Sequence, residues 1–313
     1  MAATLLTSQM VTRRALAILH NKLNFIGTIN RQYDESFAKE GAKIGNQLKI
    51  RLPNQYVTRT GQVAQIQPTQ ENYVQLVLAT QKGVDVDFTS QDLTLSIDDF
   101  AERILEPAMS QLATSIEADV FSVAEQVYQQ YGSAATLATF SSANAALAYF
   151  LQAKAILNKS LTPKDNKRYA NVNSITMAAL VDSLKGLFQD ASSIAEQYLE
   201  GIVGRTAGLT FLENELVPTH ANGAWSGTPV VSGAGQTGST LLTSGWTNGD
   251  VITAGTIFTC PGCYMVHPET KVAYPSLQQF VNLTTQTAGG PGTLTLNISP
   301  AIIPVGGVPG TYS

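Results

Sequence analysis

The side chains best suited to covalent or metal chemistry lie near the C-terminus: Cys260-Pro-Gly-Cys263, with His267 four residues beyond. Two thiols at this spacing act as a redox dithiol at a strand-to-helix junction. They act as zinc ligands when further ligands complete a four-coordinate site. The surroundings here read as β-rich with no helix following. The other histidines are His20 and His220, and no second Cys pair exists. The fitting reading is a β-turn at Pro261-Gly262 flanked by two small apolar thiols, with a thiol-dependent cytosolic enzyme as a distant alternative. Asp85, Asp87, Asp92, Asp98 and Asp99 form an acidic cluster, but their spacing does not match a calcium loop. They read as a solvated strand face followed by a helix cap. No nucleophile elbow, Walker-type loop or His-Glu-x-x-His occurs. No enzyme emerges, and no cofactor or metal is expected.

The basic residues are the more informative charge. Residues 1–60 hold Arg13, Arg14, Lys22, Arg31, Lys39, Lys43, Lys49, Arg51 and Arg59 against Asp34, Glu35 and Glu40, a net of +6 in a chain of net -4. Such a cluster attracts phosphate without regard to sequence. Few aromatics interleave with it, however, and a pI of about 5.4 argues against a dedicated nucleic-acid binder. A solvated helix face or a docking surface for an acidic partner is the competing reading. From Asn222 onward the only charged side chains are Asp250, Glu269 and Lys271, and this stretch holds 15 of the 25 glycines. So sharp a shift marks a domain boundary near Ala221–Trp225. A surface so poor in charge is either Ser/Thr/Asn/Gln-polar or faces other subunits.

The elements that must position these residues follow from periodicity. Leu5 to Leu23 has helical spacing. Leu48-Lys-Ile-Arg-Leu52 alternates as a half-buried strand, and Val74, Leu76 and Leu78, closed by Val84 and Val86, form a second alternating run. The polar span Asn54 to Asn72 between them predicts a long projecting hairpin, and connections of that length inside compact domains are usually functional. Ser96 with Asp99 caps a long helix whose stripe runs through Ile104, Leu105, Leu112, Ile116, Val120, Val123 and Val127, reaching Tyr131 with a kink or break at Pro107. A helix capped by Ser141 or Ser142, a strand at Tyr169–Val172, helices around Ile175–Leu187 and Ile194–Tyr198, and a strand at Leu209–Leu212 come next. Short β runs from Trp225 predict a small barrel or sandwich, so the layout is α+β. The length of 313 residues suffices for two or three compact units. No apolar run approaches a membrane span, and the N-terminus lacks a signal-peptide core. Neither a membrane protein, a disulfide-rich secreted protein nor a disordered chain is expected.

This succession resembles the major capsid (coat) proteins of tailed bacteriophages, in the podovirus-type branch that carries an extra β-rich domain. The most specific residues are Glu200-Gly-Ile-Val-Gly-Arg-Thr-Ala-Gly208, then Phe211-Leu-Glu-Asn-Glu-Leu-Val-Pro218-Thr-His220. Leu157-Asn-Lys-Ser-Leu-Thr-Pro163 with Asn171-Val-Asn173, Tyr264-Met-Val-His-Pro268, Leu277-Gln-Gln-Phe280 and Leu296-Asn-Ile-Ser-Pro300 support it by order and spacing. The resemblance implies the tailed-bacteriophage/herpesvirus-type capsid fold. Its parts would be an N-terminal arm over 1–45, an extended hairpin (E-loop) over 46–84, and a peripheral domain with a spine helix over 85–140. An axial-type α/β domain over 141–224 and a β-rich inserted domain with C-terminal tail over 225–313 would complete it. It further implies self-assembly through hexamers and pentamers into an icosahedral head, with scaffolding and portal proteins as assembly partners in the bacterial host cytoplasm, and non-specific contact with packaged double-stranded DNA. Candidate assembly contacts are Arg13, Arg14, Arg31, Arg51, Arg59 and Gln62. No Lys lies between Lys49 and Lys82, so a shell without covalent crosslinks is expected. Relatives of this type continue past the β domain, which implies a shortened form or an absent terminal region here. A β-rich virion accessory or adhesin module is the alternative from another class.

Overall fold

A computed structural model describes residues 8–22, 25–29, 47–54, 56, 58–64, 66–67, 69, 71–77, 80–85, 101–132, 145–184 and 204–303. The cap pair Ser96/Asp99, Ser141/Ser142, the segment Ile194–Tyr198, Arg31 and all of the acidic cluster except Asp85 fall outside them.

The N-terminal helix α1 spans Ser8–Lys22. Val11 and Ile18, one face of that helix, pack on Ala101 and Leu105, whereas Met10 and Leu16 stay exposed. Strands β1 (Gln47–Arg51) and β2 (Tyr73–Val77) pair antiparallel, with Ile50 opposite Val74 and Arg51 opposite Tyr73. The expected half-burial does not hold for β2, where every residue is exposed. Alternation sets two different faces, and among the described residues nothing buries Val74 or Leu76 on the apolar one.

The long helix starts with π-type turns over Ala101–Leu105, continues as α2 (Glu106–Ser122) and tightens to 3₁₀ over Val123–Gln126. It is not split at Pro107. That proline sits in the first turn after the π segment, where its missing N–H falls at the change of hydrogen-bond spacing. The helix ends at Gln126, short of the expected Tyr131, because Val127 turns extended. Its buried residues are Ala113, Glu117 and Phe121, so the inward face lies one position off the expected Leu112–Ile116–Val120 line, and Val123 and Val127 are exposed.

Helix α3 (Ala145–Lys159) precedes β3 (Tyr169–Val172), α4 (Ser174–Leu184), β4 (Arg205–Thr206) and β5 (Leu209–Glu213). Asn173 caps α4, its Oδ1 accepting from Thr176 N at 2.9 Å. The sheet order is β3-β5-β4, parallel then antiparallel. Val172, Met177, Leu180, Leu209 and Phe211 form its core, with Phe150 edge-on to Phe211 at 4.8 Å.

The C-terminal unit comprises β6 (Val230–Val231), β7 (Gly238–Ser244), β8 (Val251–Ile252), β9 (Ile257–Val266), β10 (Ala273–Asn282), β11 (Gln286–Thr287) and β12 (Thr293–Ile302). An open antiparallel sheet runs β6-β7-β12-β10-β9, and β8 pairs separately with β11. The described strands therefore form no closed barrel. Leu241, Trp246, Ile252, Cys260, Phe280, Leu296 and Ile298 fill the core. Asp250 is the unit's staple: its Oδ1 accepts from Ser226 N and Oγ, and its Oδ2 accepts from Gly227 N and Thr247 N.

Among the described residues no helix is long and apolar enough to cross a membrane.

Candidate assembly surface

The β1–β2 ribbon has two chemically distinct faces because side chains alternate along a strand. Lys49, Arg51, Tyr73 and Gln75 share one face, where Lys49 Nζ sits 5.0 Å from the Tyr73 ring centroid. Arg51 pairs with Glu71 at 3.3 Å, but both side chains are mostly in water, so the pair adds little. Ile50, Val74 and Leu76 share the other face, and Val74 and Leu76 are 51% and 52% exposed. Beyond the ladder, Leu52 N still donates to Asn72 O at 2.8 Å. Arg59 closes the tip by donating to the carbonyls of Gly61 and Val63, around a glycine with φ of 114°. Gln62 is exposed, and Ile66 at 95% exposure is nearly free of its own chain.

The ribbon is mobile neither at its register nor at its root. Lys82 donates to Ser115 O and Oγ at 3.0 and 2.7 Å and pairs with Asp119 at 2.6 Å, pinning the outgoing strand to α2.

The N-terminal arm is fixed about half a turn further along the same helix. Phe25 stacks on Phe121 with centroids 4.3 Å apart, and its N–H donates to Glu117 Oε1 at 2.9 Å. The second oxygen of that carboxylate accepts from Asn214 Nδ2 at 2.9 Å, just past β5. Glu117 is 4% exposed, so one carboxylate joins arm, helix and α/β unit. Arg13 and Arg14 are exposed on α1.

Of the six candidate contacts, Arg51, Arg59 and Gln62 thus lie on the ribbon, Arg13 and Arg14 on the arm helix, and Arg31 outside the described residues. Sequence reasoning missed Glu117 and Lys82. Glu117 carried a signal, since it stands between Ala113 and Phe121 at four-residue spacing on a buried helix face. Lys82 carried none, because its partners are 33 residues away or more.

Three glycine-rich or thiol features resolve as local architecture. Cys260-Pro-Gly-Cys263 does not turn the chain around. It bulges within β9, because Thr259 and Tyr264 pair with Gln279 and Leu277 while the four residues between them face Gln278 alone. Cys260 packs in the core, and burial, aided by neighbouring Cys263, pushes its thiol up to about 11. A thiolate nucleophile needs the opposite shift. His267 Nδ1 accepts from Glu269 N and Thr270 N, closing the β9–β10 turn. Gly233-Ala-Gly235-Gln-Thr-Gly238 has dinucleotide-loop spacing, but it links β6 to β7, where a strand follows in place of the helix N-terminus a phosphate needs. The family-like Gly204–Gly208 turn is braced by Lys154, which donates to Ala207 O.

An amphipathic ribbon with an open apolar face, pinned at its root to a long helix, defines a protein whose working surface is a contact surface. Residues 3–250 match the model of the P22 coat protein family, described as P22 coat protein - gene protein 5. The chain belongs to that family: it is a phage major capsid protein, a structural component of the virion of a tailed bacteriophage. Among solved structures, a chain from Mycobacterium phage Che8 matches with 14% identity and a TM-score of 0.45, over 87% of this chain and 90% of that one. No curated protein matches.

Proposed function

We propose that this chain builds a closed icosahedral head by self-assembly through hexamers and pentamers, with the β1–β2 ribbon as the arm by which one copy engages the next. The observation that carries the reading is the exposed apolar pair Val74 and Leu76, on a strand exposed along its whole length. Exposed apolar surface of this kind favours burial against a partner at about 25 cal/mol per Å². In the family's terms, the arm, extended hairpin, spine helix and axial-type α/β domain would be 1–45, 46–84, 85–140 and 141–224, with 225–313 as the inserted β domain and tail. Heterologous contacts between identical copies close into rings and shells when the rotation allows. The exposed Arg13 and Arg14 suit contact with an acidic scaffolding segment or with packaged double-stranded DNA; the portal would join during assembly in the host cytoplasm.

Replacing Leu76 by Asp tests the reading. The variant should remain a folded subunit and fail to form particles, by size-exclusion light scattering and negative-stain imaging of material co-expressed with its neighbouring genes. Wild-type particle yield from the variant would overturn the ribbon's role. A wild-type chain that forms no particles under those conditions would favour an accessory or adhesin module instead.

A further inference from the structure

We propose that His220 and Glu125 form a proton-sensitive latch that sets how firmly the β unit is held against the end of the long helix. Among the described residues no buried cluster includes side chains from both sides of this boundary: one core lies within 172–211 and another within 241–298. Polar side chains make contacts across it. Gln279 clasps the backbone of Gln130, its Oε1 accepting from Gln130 N and its Nε2 donating to Gln130 O, each at 3.0 Å. Lys159 Nζ lies 5.7 Å from the Tyr274 ring centroid.

His220 occupies the seam itself. A Cβ built on Gly255 would lie 2.9 Å from His220 Cε1 and 3.1 Å from Glu125 Cβ, so the β unit reaches both groups only because residue 255 has no side chain. His220 Nδ1 stands 3.9 Å from Glu125 Oε1, too long for a hydrogen bond and within range of an ion pair. Glu125 is the charged group that faces the ring from the helix. Residues 253–256 of the β-unit loop carry no charged side chain; the hydroxyls of Thr253 and Thr256 bond each other at 3.1 Å, and Thr253 also donates to Ala221 O. On the helix side, Asp119 is already paired with Lys82. Imidazole is the side chain whose charge ordinarily changes between about pH 5 and 8. Protonated, the ring attracts the Glu125 carboxylate and the seam is doubly fastened; neutral, the ring leaves the glutamine clasp to hold it. A partly exposed pair of this kind changes an opening equilibrium by about two- to fivefold.

The latch rests on contacts within one chain, so its test is independent of shell formation. In the full-length subunit, hydrogen exchange at the Gln130 amide is followed from about pH 5 to 8 and corrected for the intrinsic chemical rate. Protection should fall about two- to fivefold as the imidazole loses its proton. The step should vanish in His220→Gln and in Glu125→Gln, and His220→Lys should stay protected at the alkaline end. Unchanged tryptophan fluorescence in each variant verifies that the β unit is intact. A flat profile in the wild type, or a step that survives His220→Gln, would overturn the latch.

Discussion

Glu117 accepts two hydrogen bonds at the meeting point of three chain segments, and its chemistry admits little else. Both its oxygens face donors, Phe25 N and Asn214 Nδ2. In Glu117→Gln one of them becomes an NH₂ aimed at a donor, and Asn214 cannot answer by flipping, since its Oδ1 already accepts from Leu216 N at 2.9 Å. We expect the variant to lose about 1–3 kcal/mol in urea unfolding, although it keeps the side chain's shape. Asp250 gives a pH-dependent counterpart. The Ser226 N–H first, then those of Thr247 and Gly227, hold its carboxyl below the ordinary value against the opposing effect of burial. A lowered folded value means that its stabilisation is complete above the unfolded carboxylate value and is lost as pH falls through the folded one. The acid limb of β-unit stability should therefore flatten in Asp250→Asn, which would also be the less stable protein at neutral pH. Cys260, by contrast, should resist alkylation at neutral pH in the folded chain and react on unfolding, because its raised thiol is both protonated and enclosed. Of these side chains, Asp250 was conspicuous in sequence as one of only two carboxylates in a charge-poor tail. Glu117 was legible only in part: its spacing between Ala113 and Phe121 places it on one helix line with them, but its partners Phe25 and Asn214 are distant in sequence.

At the scale of elements, alternation and periodicity located most of what is observed. The ribbon's strands, the 169–172 strand, the helices after 145 and 174, and the β-rich tail all follow from local pattern, because each is fixed by residues two to four apart. What local pattern could not give is what an apolar face meets. Leu76 alternates like any half-buried strand residue, yet no surface among the described residues buries it. The same limit explains the helix face: the line through Leu112, Ile116 and Val120 is the more apolar, but the arm's Phe25 stacks on Phe121 of the adjacent line. Lys82 makes the root of the ribbon a defined joint. Lys82→Met should cost the subunit no more than about 1 kcal/mol, since the contacts are partly exposed. Its effect should show in particles, as fewer closed and more aberrant shells by negative stain, if the ribbon's angle matters to assembly.

At the scale of the molecule, the separate cores make a further expectation. Both tryptophans of the chain, Trp225 and Trp246, belong to the C-terminal unit, with ring centroids 6.3 Å apart. Fluorescence therefore reports that unit, whereas helical circular dichroism reports the remainder. The two signals should give distinct denaturation midpoints in the wild type, and coincident transitions would show that the polar seam couples the units more tightly than its contacts suggest. The boundary near Ala221–Trp225 was legible from the loss of charge and rise in glycine, because a change of composition reports a change in how surface is made. The Gln130–Gln279 clasp was not, being one uncharged side chain on a backbone amide 149 positions away. So thin a seam also bears on inheritance. The buried cluster of the C-terminal sheet includes no side chain from elsewhere in the described chain, and effects at well-separated sites add nearly independently. A phage lineage can thus remodel that sheet, or receive another version by recombination, while the body keeps its residues, provided the incoming sequence supplies a glutamine opposite position 130 and a glycine beside His220.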